Sequence, residues 1–537
     1  MGLVSRLVAA SSVTLVLMAG LQAQGRDDFD LGLGLYERGF FEEAAKSFEH
    51  HLETHPKGER STEAWYRLAS CRKKLGRKKS AREAFLHVLG GDARFRHRAE
   101  TRYQLGRLLQ EARQQAKAAT QFEKLMEEAG DRHYLAAPAS FALGECRRDL
   151  GMKKQALQAF QKAYDLAPRG GMALGSLYQS GFLLLDAGKT ESAARAFGRA
   201  ANEFPKDDLA IECRFLQARA LTKLQRHEES LDLWRLVARN DGKRKAEGLL
   251  GLGRALIALG RHDEARKPLE EALESHAAKP VALSIREELA WLLLDAGEAQ
   301  QAAQRFSEAL ALEPSREQAA RLHSGRGEAW SDLRKYKKAL EEQTRAEESS
   351  KDPGLQGDAL YARIQLLHSM QRYDESLTLT RKFLKEHPGH RSLALANLAQ
   401  AEDLFALGRY GEASKIYAGI EGEQGPSARH KLAWCLWLLG SKEKAALAFA
   451  RLVDDKDLAA ALREDALAME ALARLELGEN EAALARADLY KLRYPKGAFR
   501  ARCERVASRA LEKQGRLEAA TKRLRAAVAL DEGKSRL

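Results

Sequence analysis

The chain has 537 residues, a formal net charge of +13 and five cysteines. It contains only 11 prolines and is dominated by Ala, Leu, Glu, Lys and Arg, a composition that favours helices. No stretch alternates apolar and polar residues with β-branched enrichment, so the sequence gives no indication of strands. Beyond the first 25 residues, no stretch approaches the roughly 18 apolar residues that a membrane span needs, which excludes a multi-span membrane protein.

The N-terminus has the pattern of an export signal. Arg6 precedes an apolar run at 7–21, and Ala23 stands before a polar junction. A basic start, an apolar core and a small residue before the junction are typical of a secretory signal peptide. We therefore predict a signal peptide at 1–23 and a soluble mature chain that is exported and periplasmic or envelope-associated. An uncleaved membrane anchor and a cytoplasmic chain are the alternatives.

A fixed pattern recurs along the rest of the chain. Gly, Ala, Phe, Ala and Pro stand at residues 151, 156, 160, 163 and 168, and the same letters recur with the same gaps from residue 188 and from residue 297. A period of about 37 residues is typical of a repeat protein. The first alanine of the pattern has a small counterpart in 14 copies: Ala44, Ala81, Ala118, Ala156, Ala193, Ser230, Ala265, Ala302, Ala339, Ser376, Ala413, Ala445, Ala483 and Ala520.

Each copy has the positions of a helix–turn–helix hairpin. Twelve residues before the alanine stands a second small residue, which lets two helices cross closely, and only Ile364 departs from this rule. Between the two small residues, a glycine stands in ten of the 14 copies, where the first helix ends in left-handed backbone geometry. Four residues after the alanine, a large residue, often Phe, lies on the same helix face and fills the core. The sequence therefore predicts an all-α chain of stacked hairpins.

These positions resemble the tetratricopeptide repeat. The segment at 64–85 carries five residues of that family's pattern: Trp65, Leu68, Gly76, Ala81 and Phe85. The resemblance covers about residues 26–532 and implies a right-handed superhelical solenoid of about 14 repeats that acts as a non-catalytic scaffold for protein–protein interaction. The period and connectors such as THPKG and EFPKD resemble the exported bacterial branch, which includes a Tol–Pal-associated coordinator and a lipoprotein of the outer-membrane barrel assembly machine.

Two interruptions of the pattern predict bends. Pro268 falls inside the second helix of the seventh repeat, where an interior proline kinks a helix. The stretch AGIEGEQGP at 418–426 breaks the second helix of the eleventh repeat with three glycines. We predict repeats 1–11 at 24–425 and repeats 12–14 of the same solenoid at 426–537, joined by a glycine hinge.

No motif predicts catalysis, a metal or a cofactor. His51 and His55 stand four residues apart as a helical zinc pair would, but no third ligand is evident nearby, so surface or packed histidines explain them better. The glycine-rich stretch at 248–260 follows no strand and fits the helix-crossing phase rather than a phosphate loop. The cysteines share phases of the repeat and never lie in adjacent repeats, so core packing is expected, with an intermolecular disulfide as the alternative.

The resemblance places the ligand groove on the first helix of each hairpin. By phase, this groove carries an aromatic ladder: Phe29, Tyr66, Tyr103, Phe141, Tyr178 and Phe215. Arg107 and Trp291 lie on groove positions too, and packing between helices is the alternative explanation of the ladder. The family's carboxylate clamp needs Asn where this chain has residues such as Arg107 and Glu145, so binding of chaperone tails is disfavoured.

A sharper candidate site lies in repeats eleven and twelve, beside the glycine hinge. Five residues with groove or adjacent positions make it up: Glu402, Phe405, His430, Trp434 and Trp437. Tryptophans anchor interfaces because they bury a large area at little entropic cost. We predict that a protein or peptide binds here; a simply buried helix in a shortened repeat is the alternative.

Positive charge is concentrated near the two ends. Residues 57–107 hold 15 Lys or Arg against 5 acids, and residues 491–537 hold 14 against 5. Such patches attract anionic lipid or polysaccharide in an exported protein, whereas nucleic acid is an unlikely partner there. Solvated helix faces are the alternative. Leu524 and Val528 are expected to be partly exposed on the last helix, which allows weak self-association.

Overall fold

The computed structural model describes residues 28–240, 242 and 244–534, so the predicted signal peptide at 1–23 lies outside the described residues. The described residues form 28 α-helices and one short 3-10 turn, with no strand among them. The helices pair in chain order into 14 hairpins, which confirms the predicted all-α repeat fold. The chain divides into two compact units, residues 1–275 and 276–537.

Unit 1 (residues 1–275) contains repeats 1–7. Its helices, two per repeat, are α1 Asp28–Glu37, α2 Phe41–Thr54, α3 Ser61–Lys74, α4 Lys78–Gly90, α5 Arg98–Glu111, α6 Gln115–Ala129, α7 Ala136–Asp149, α8 Lys153–Leu166, α9 Ala173–Asp186, α10 Thr190–Glu203, α11 Leu209–Lys223, α12 His227–Ala238, α13 Lys245–Ala258 and α14 His262–Glu274. Within the unit, each helix packs against the next one along the chain.

Unit 2 (residues 276–537) contains repeats 8–14. Its helices are α15 Lys279–Asp295, α16 Ala299–Leu310, α17 Arg316–Asp332, α18 Tyr336–Ser349, α19 Pro353–Ser369, α20 Tyr373–Glu386, α21 Leu393–Ala406, α22 Tyr410–Tyr417, α23 Gly425–Leu438, α24 Lys442–Leu452, α25 Ala460–Glu476, α26 Asn480–Arg493, α27 Arg500–Lys513 and α28 Leu517–Lys534. In this unit, as in unit 1, first helices of neighbouring repeats also contact each other and so form a layer of their own.

The turn inside each hairpin has the same backbone in all 14 repeats. The predicted glycine position has a positive φ between 72° and 83° at its ten glycines. The four repeats without glycine keep this geometry, with φ of 55° to 62° at Arg113, Gln225, Arg334 and Gln371. The left-handed turn is thus a property of the hairpin, and glycine is its least strained occupant.

The second small position accommodates the large core residue of the same hairpin. A Cβ added to Gly181 would lie 2.5 Å from the ring of Phe197, and one added to Gly106 would lie 2.6 Å from the ring of Phe122. The close approach is therefore between the first-helix backbone and an aromatic ring, rather than between the two small residues. This contact fixes how near the two helices of a hairpin lie.

Ile364, the one exception to the small-residue rule, has a compensating partner. The position that carries Phe197 in repeat 5 carries Thr380 in repeat 10, and both Ile364 and Thr380 are fully buried. A larger residue on the first helix thus faces a smaller residue on the second, which conserves the core volume.

The two predicted interruptions differ in the structure. Helix α14 runs continuously through Pro268, which is buried inside it. Helix α22, by contrast, has only eight residues, and a 3-10 turn at Gly422–Gln424 leads into α23. The break in repeat 11 is confirmed, while the hinge at 426 and the division of the solenoid there stay predictions.

Candidate functional site

The aromatic ladder of unit 1 packs within its own hairpins. Each ladder ring lies 5.3–6.4 Å, between centroids, from the aromatic residue 19 positions later on the second helix: Phe29–Phe48, Tyr66–Phe85, Tyr103–Phe122, Phe141–Phe160, Tyr178–Phe197 and Phe215–Trp234. These contacts are the packing that the sequence offered as the alternative explanation. Ligand contact by the ladder stays a prediction.

The two other isolated groove residues also have structural partners. Arg107 lies 3.1 Å from Glu145 of the next repeat in an ion pair. The ring of Trp291 lies 5.1 Å from that of Phe306 in an edge-to-face arrangement. Arg107 belongs to unit 1, and Trp291 lies in repeat 8, outside the residues that line the cavity described next.

Four of the five residues predicted in repeats 11 and 12 surround one cavity. It has a volume of about 540 Å³, and Glu402, Phe405, His430 and Trp434 line it. The fifth, Trp437, does not line the cavity; it is partly buried against the core of repeats 12–14, with Lys442 Nζ 6.0 Å from its ring centroid. Most of the remaining wall is formed by residues that the sequence did not single out: Leu398, Gln424, Ser427, Lys431 and Leu462.

A buried carboxylate fixes the aromatic wall of this cavity. Trp434 Nε1 donates a hydrogen bond of 2.8 Å to Asp465 Oδ2, and His430 Nε2 lies 2.9 Å from the same oxygen. Both rings also stand edge-on to Phe449, at 5.9 Å and 6.3 Å. Sequence reasoning missed Asp465, although it follows His430 by 35 residues, close to one repeat period.

The opposite wall combines charge with an aromatic face. Lys431 Nζ lies 4.8 Å from the ring centroid of Phe405 and 3.4 Å from Glu402 Oε2. Burial and then the neighbouring Glu402 carboxylate raise the pKa of the Tyr417 hydroxyl, which therefore stays neutral. The cavity thus has apolar surfaces from Leu398, Phe405, Trp434 and Leu462 and one internally balanced ion pair.

The interrupted repeat shapes the mouth of the cavity. Because α22 ends at Tyr417, the chain turns early and brings Gln424 and Ser427 to the cavity wall. Ser427, His430 and Asp465 have the residue types of a hydrolytic triad, but no hydrogen bond joins Ser427 to His430 among the described contacts. The apolar part of the wall is suited to contact with an apolar group.

Comparison with known families supports the repeat assignment. The tetratricopeptide repeat model matches residues 29–94, 103–170, 215–281, 287–354 and 398–460, together more than half of the chain, and a second model of that description matches 176–207. The chain belongs to the tetratricopeptide repeat family. The likeness to its exported Tol–Pal and barrel-assembly branch stays a proposal. No curated protein matches the chain.

Solved structures with a similar fold include other tetratricopeptide proteins. One from Parabacteroides merdae is 16% identical and covers 50% of this chain and 97% of its own, with a TM-score of 0.31. YrrB, described as having an unusual peptide-binding site, is 20% identical with 38% and 97% covered and a TM-score of 0.31. MamA from residue 41 onward, from Desulfovibrio magneticus, is 23% identical with 33% and 94% covered and a TM-score of 0.28.

Ion pairs offset much of the basic segment at 57–107. Of its 15 Lys and Arg residues, nine pair with carboxylates, most of which come from neighbouring repeats outside the segment. The segment at 491–537 is less compensated in the part that the structure describes, where the paired cations are Arg493, Arg500, Arg505 and Arg523. Among the described side chains, unpaired cations are therefore more numerous in the part of 491–537 that the structure describes than at 57–107.

The other sequence candidates lie in packed surroundings. The rings of His51 and His55 stack at 5.2 Å, and no group of three or more potential metal ligands occurs among the residues described. All five cysteines are free and buried, as core packing predicts, and burial raises the pKa of Cys71 to about 12. Over the described ranges, no helix is long and apolar enough to span a bilayer.

The last helix has the predicted exposed apolar residues. Leu524 and Val528 are 49% and 48% exposed. Weak self-association through them stays a prediction.

Proposed function

We propose that this chain is an exported, non-catalytic tetratricopeptide scaffold of the cell envelope that binds a peptide or protein segment through the cavity of repeats 11–13. The observation that supports this proposal most directly is the cavity of about 540 Å³, whose walls include Phe405 and Trp434 on first helices. Family membership supports protein–protein interaction as the general role. The apolar run at 7–21 supports export.

The wall chemistry favours a bulky apolar side chain as the anchor of the ligand. Cavities of this size accept a large side chain, and apolar walls with few polar groups favour hydrophobic contact. Lys431 and Glu402 neutralise each other, and Asp465 accepts from Trp434, so the wall offers few unpaired charges to a ligand. Binding through this cavity should therefore depend little on salt.

The test uses peptide display against the full mature protein. Ser427, an exposed residue on the first turn of α23, lines the cavity, so Ser427→Trp should obstruct it without removing a core residue. Arg429→Trp is the matched control, because Arg429 is exposed on the same helix and does not line the cavity. We expect selected peptides to share a bulky apolar residue, to bind Arg429→Trp as they bind the parent, and to bind Ser427→Trp about tenfold or more weakly.

Two outcomes would contradict the proposal. Peptides that bind Ser427→Trp as well as the parent would place the site elsewhere. Ligands captured only at low salt and indifferent to Ser427→Trp would favour the rival function, in which the basic segment at 491–537 binds an anionic lipid or polysaccharide. The mass of the mature N-terminus after expression in an exporting host tests the signal at 1–23 separately.

A further inference from the structure

A second and larger cleft lies in unit 1, between repeats 4 and 5. It has a volume of about 940 Å³ and is walled by the second helices α8 and α10. Its floor comes from the intervening first helix α9, through Leu177, Ser180 and Leu184. The cavity of repeats 11–13 is lined by first helices instead, so the two sites lie on different helix layers.

The cleft is open because a floor residue is small. The position of Ser180 is held by leucine in repeats 2, 3 and 4, as Leu68, Leu105 and Leu143. The equivalent cleft between repeats 2 and 3 has Leu105 on its floor and a volume of about 360 Å³. On the α10 wall, Ala196 takes the place that Gln121 holds in that smaller cleft. The larger cleft therefore has the smaller side chain at both of these positions.

The two walls carry different charge. On the α10 side, Arg195 and Arg199 stand four residues apart and are both exposed. They pair with Glu191 and Glu203 on their own helix, and Arg199 also lies 4.6 Å from the ring centroid of Tyr164 on α8. Such exposed pairs within one helix contribute little and exchange readily for a partner's carboxylates. On the α8 side stand the amides of Gln158 and Gln161, the carboxylate of Asp165, and Lys162, whose Nζ lies 2.8 Å from Asp131 Oδ1.

We propose that this cleft binds an amphipathic α-helix of a partner protein, with its apolar stripe on Leu177, Ser180 and Leu184 and acidic side chains along Arg195 and Arg199. The residues that line the cleft span 157–166 on α8 and 192–199 on α10, which gives a channel about 12 Å long, enough for about two turns. Apolar side chains at every third or fourth position of such a helix reach the floor, as in other helix-in-groove complexes. The charged walls determine the direction in which the helix binds and which of its sides faces the arginines.

The test measures binding of two synthetic helical peptides of about 14 residues to the full mature protein by fluorescence anisotropy. Both carry the same leucine stripe; one has glutamates along one flank and the other has lysines there. We expect the glutamate peptide to bind at least about tenfold more tightly, and Ser180→Leu, which fills the floor, to weaken it about tenfold or more. Gln217→Leu, the same position in repeat 6, is the control and should leave binding unchanged.

A charge reversal keeps the proposal testable if Ser180→Leu alters the fold. Arg195→Glu/Arg199→Glu should reverse the preference in favour of the lysine peptide. Equal binding of both peptides to the parent, or binding indifferent to Ser180→Leu in a folded variant, would overturn the proposal. So would a concentration-dependent dimer that Ser180→Leu abolishes, because a second copy would then occupy the cleft. Ser427→Trp should not affect this binding, so the two sites can fail independently.

Discussion

The two units build the same hairpin with different cores. In unit 1, the large core position of the second helix is apolar in every repeat: Phe48, Phe85, Phe122, Phe160, Phe197, Trp234 and Leu269. In unit 2 it varies, with Phe306, Gln343, Thr380, Tyr417, Phe449, Ala487 and Leu524. Unit 2 also buries carboxylates, namely Glu342, Asp403, Asp465, Glu470 and Glu504, whereas none is buried in the described part of unit 1.

In unit 2, buried ion pairs with defined partners take the place of part of the apolar packing. Glu342 accepts hydrogen bonds from Arg326 and lies 2.8 Å from His323, and Glu470 lies 2.9 Å from both Arg474 and Arg486. Such pairs add little stability over an apolar core, but breaking one partner is costly. The same hairpin therefore tolerates volume changes poorly in unit 1 and charge changes poorly in unit 2.

The largest effect is expected from Arg326→Met in unit 2. It removes the best-placed partner of Glu342, whose side chain is only 7% exposed, and should lower the free energy of unfolding by about 3 kcal/mol. Arg345→Met is the matched control, because Arg345 pairs with the same carboxylate from a side chain that is 55% exposed and should cost less than about 0.5 kcal/mol. Denaturant titration with hydrogen exchange over α17 and α18 measures both. Equal losses in the two variants would contradict the role assigned to burial.

Acid should act on the same pair. Burial alone would raise the pKa of Glu342, but hydrogen bonds from His323 and Arg326 outweigh it and hold the pKa below its usual value. A lowered pKa in the folded state gives stability that is present above the ordinary glutamate pKa and lost as the pH falls through the lower one. The difference between parent and Arg326→Met should therefore shrink in acid.

The next largest effect is expected from Gly181→Leu in unit 1. Its Cβ alone would stand 2.5 Å from the Phe197 ring, so overpacking should cost about 2–3 kcal/mol. Gly34→Leu is the control, because a Cβ there meets nothing within 4 Å; it should stabilise α1 by about 0.5 kcal/mol through helix propensity. Thermal unfolding of both variants checks this. A loss at Gly34 as large as that at Gly181 would mean that packing against the ring is not the cause.

Sequence periodicity predicted the fold because each hairpin repeats a few strict local requirements. The left-handed turn and the contact of Gly181 with Phe197 recur at fixed spacing, so one chain shows them many times. The cavity of repeats 11–13 was predicted in part, because tryptophans on groove positions are visible in sequence. Asp465 and Leu462 were missed, since they come from the next repeat and their role depends on how neighbouring hairpins stack.

The cleft of repeats 4 and 5 had no motif to reveal it. Ser180 is one of many small residues in the sequence, and its effect depends on leucine being the usual residue at that phase. Comparing the same position across repeats is the signal that finds it. The ion pairs that offset the basic segment at 57–107 were also invisible, because most of the acids lie a repeat away.

A smaller effect, equal in both units, is expected at the left-handed turn. Arg113→Gly in unit 1 and Arg334→Gly in unit 2 relieve residues with φ of 55° and 56°. Relief of about 1 kcal/mol of strain, less the entropy that glycine loses on folding, should leave a gain of about 0.5 kcal/mol in each. Denaturation midpoints measure the gain. A gain in stability in only one unit would show that the turns of the two units are not equally strained, contrary to their similar φ angles.

The smallest effect belongs to unit 2 and depends on pH. Burial, and then the acids Asp332, Asp295 and Asp358, raise the pKa of Glu328 to about 7. A carboxyl whose pKa is raised in the folded state keeps a proton that the unfolded chain releases near its ordinary pKa, so stability falls as the pH rises from about 4.5 towards 7. By surface area Glu328 is exposed, so screening by solvent limits both the shift and its effect on stability. Glu328→Gln should therefore raise the melting temperature at pH 8 and leave it unchanged at pH 4, the reverse of the acid sensitivity expected at Glu342. An equal shift of the melting temperature at both pH values would mean that the amide acts through packing. The contrast between Glu342, which stabilises the fold when it is charged, and Glu328, which destabilises it when it is charged, would then be wrong.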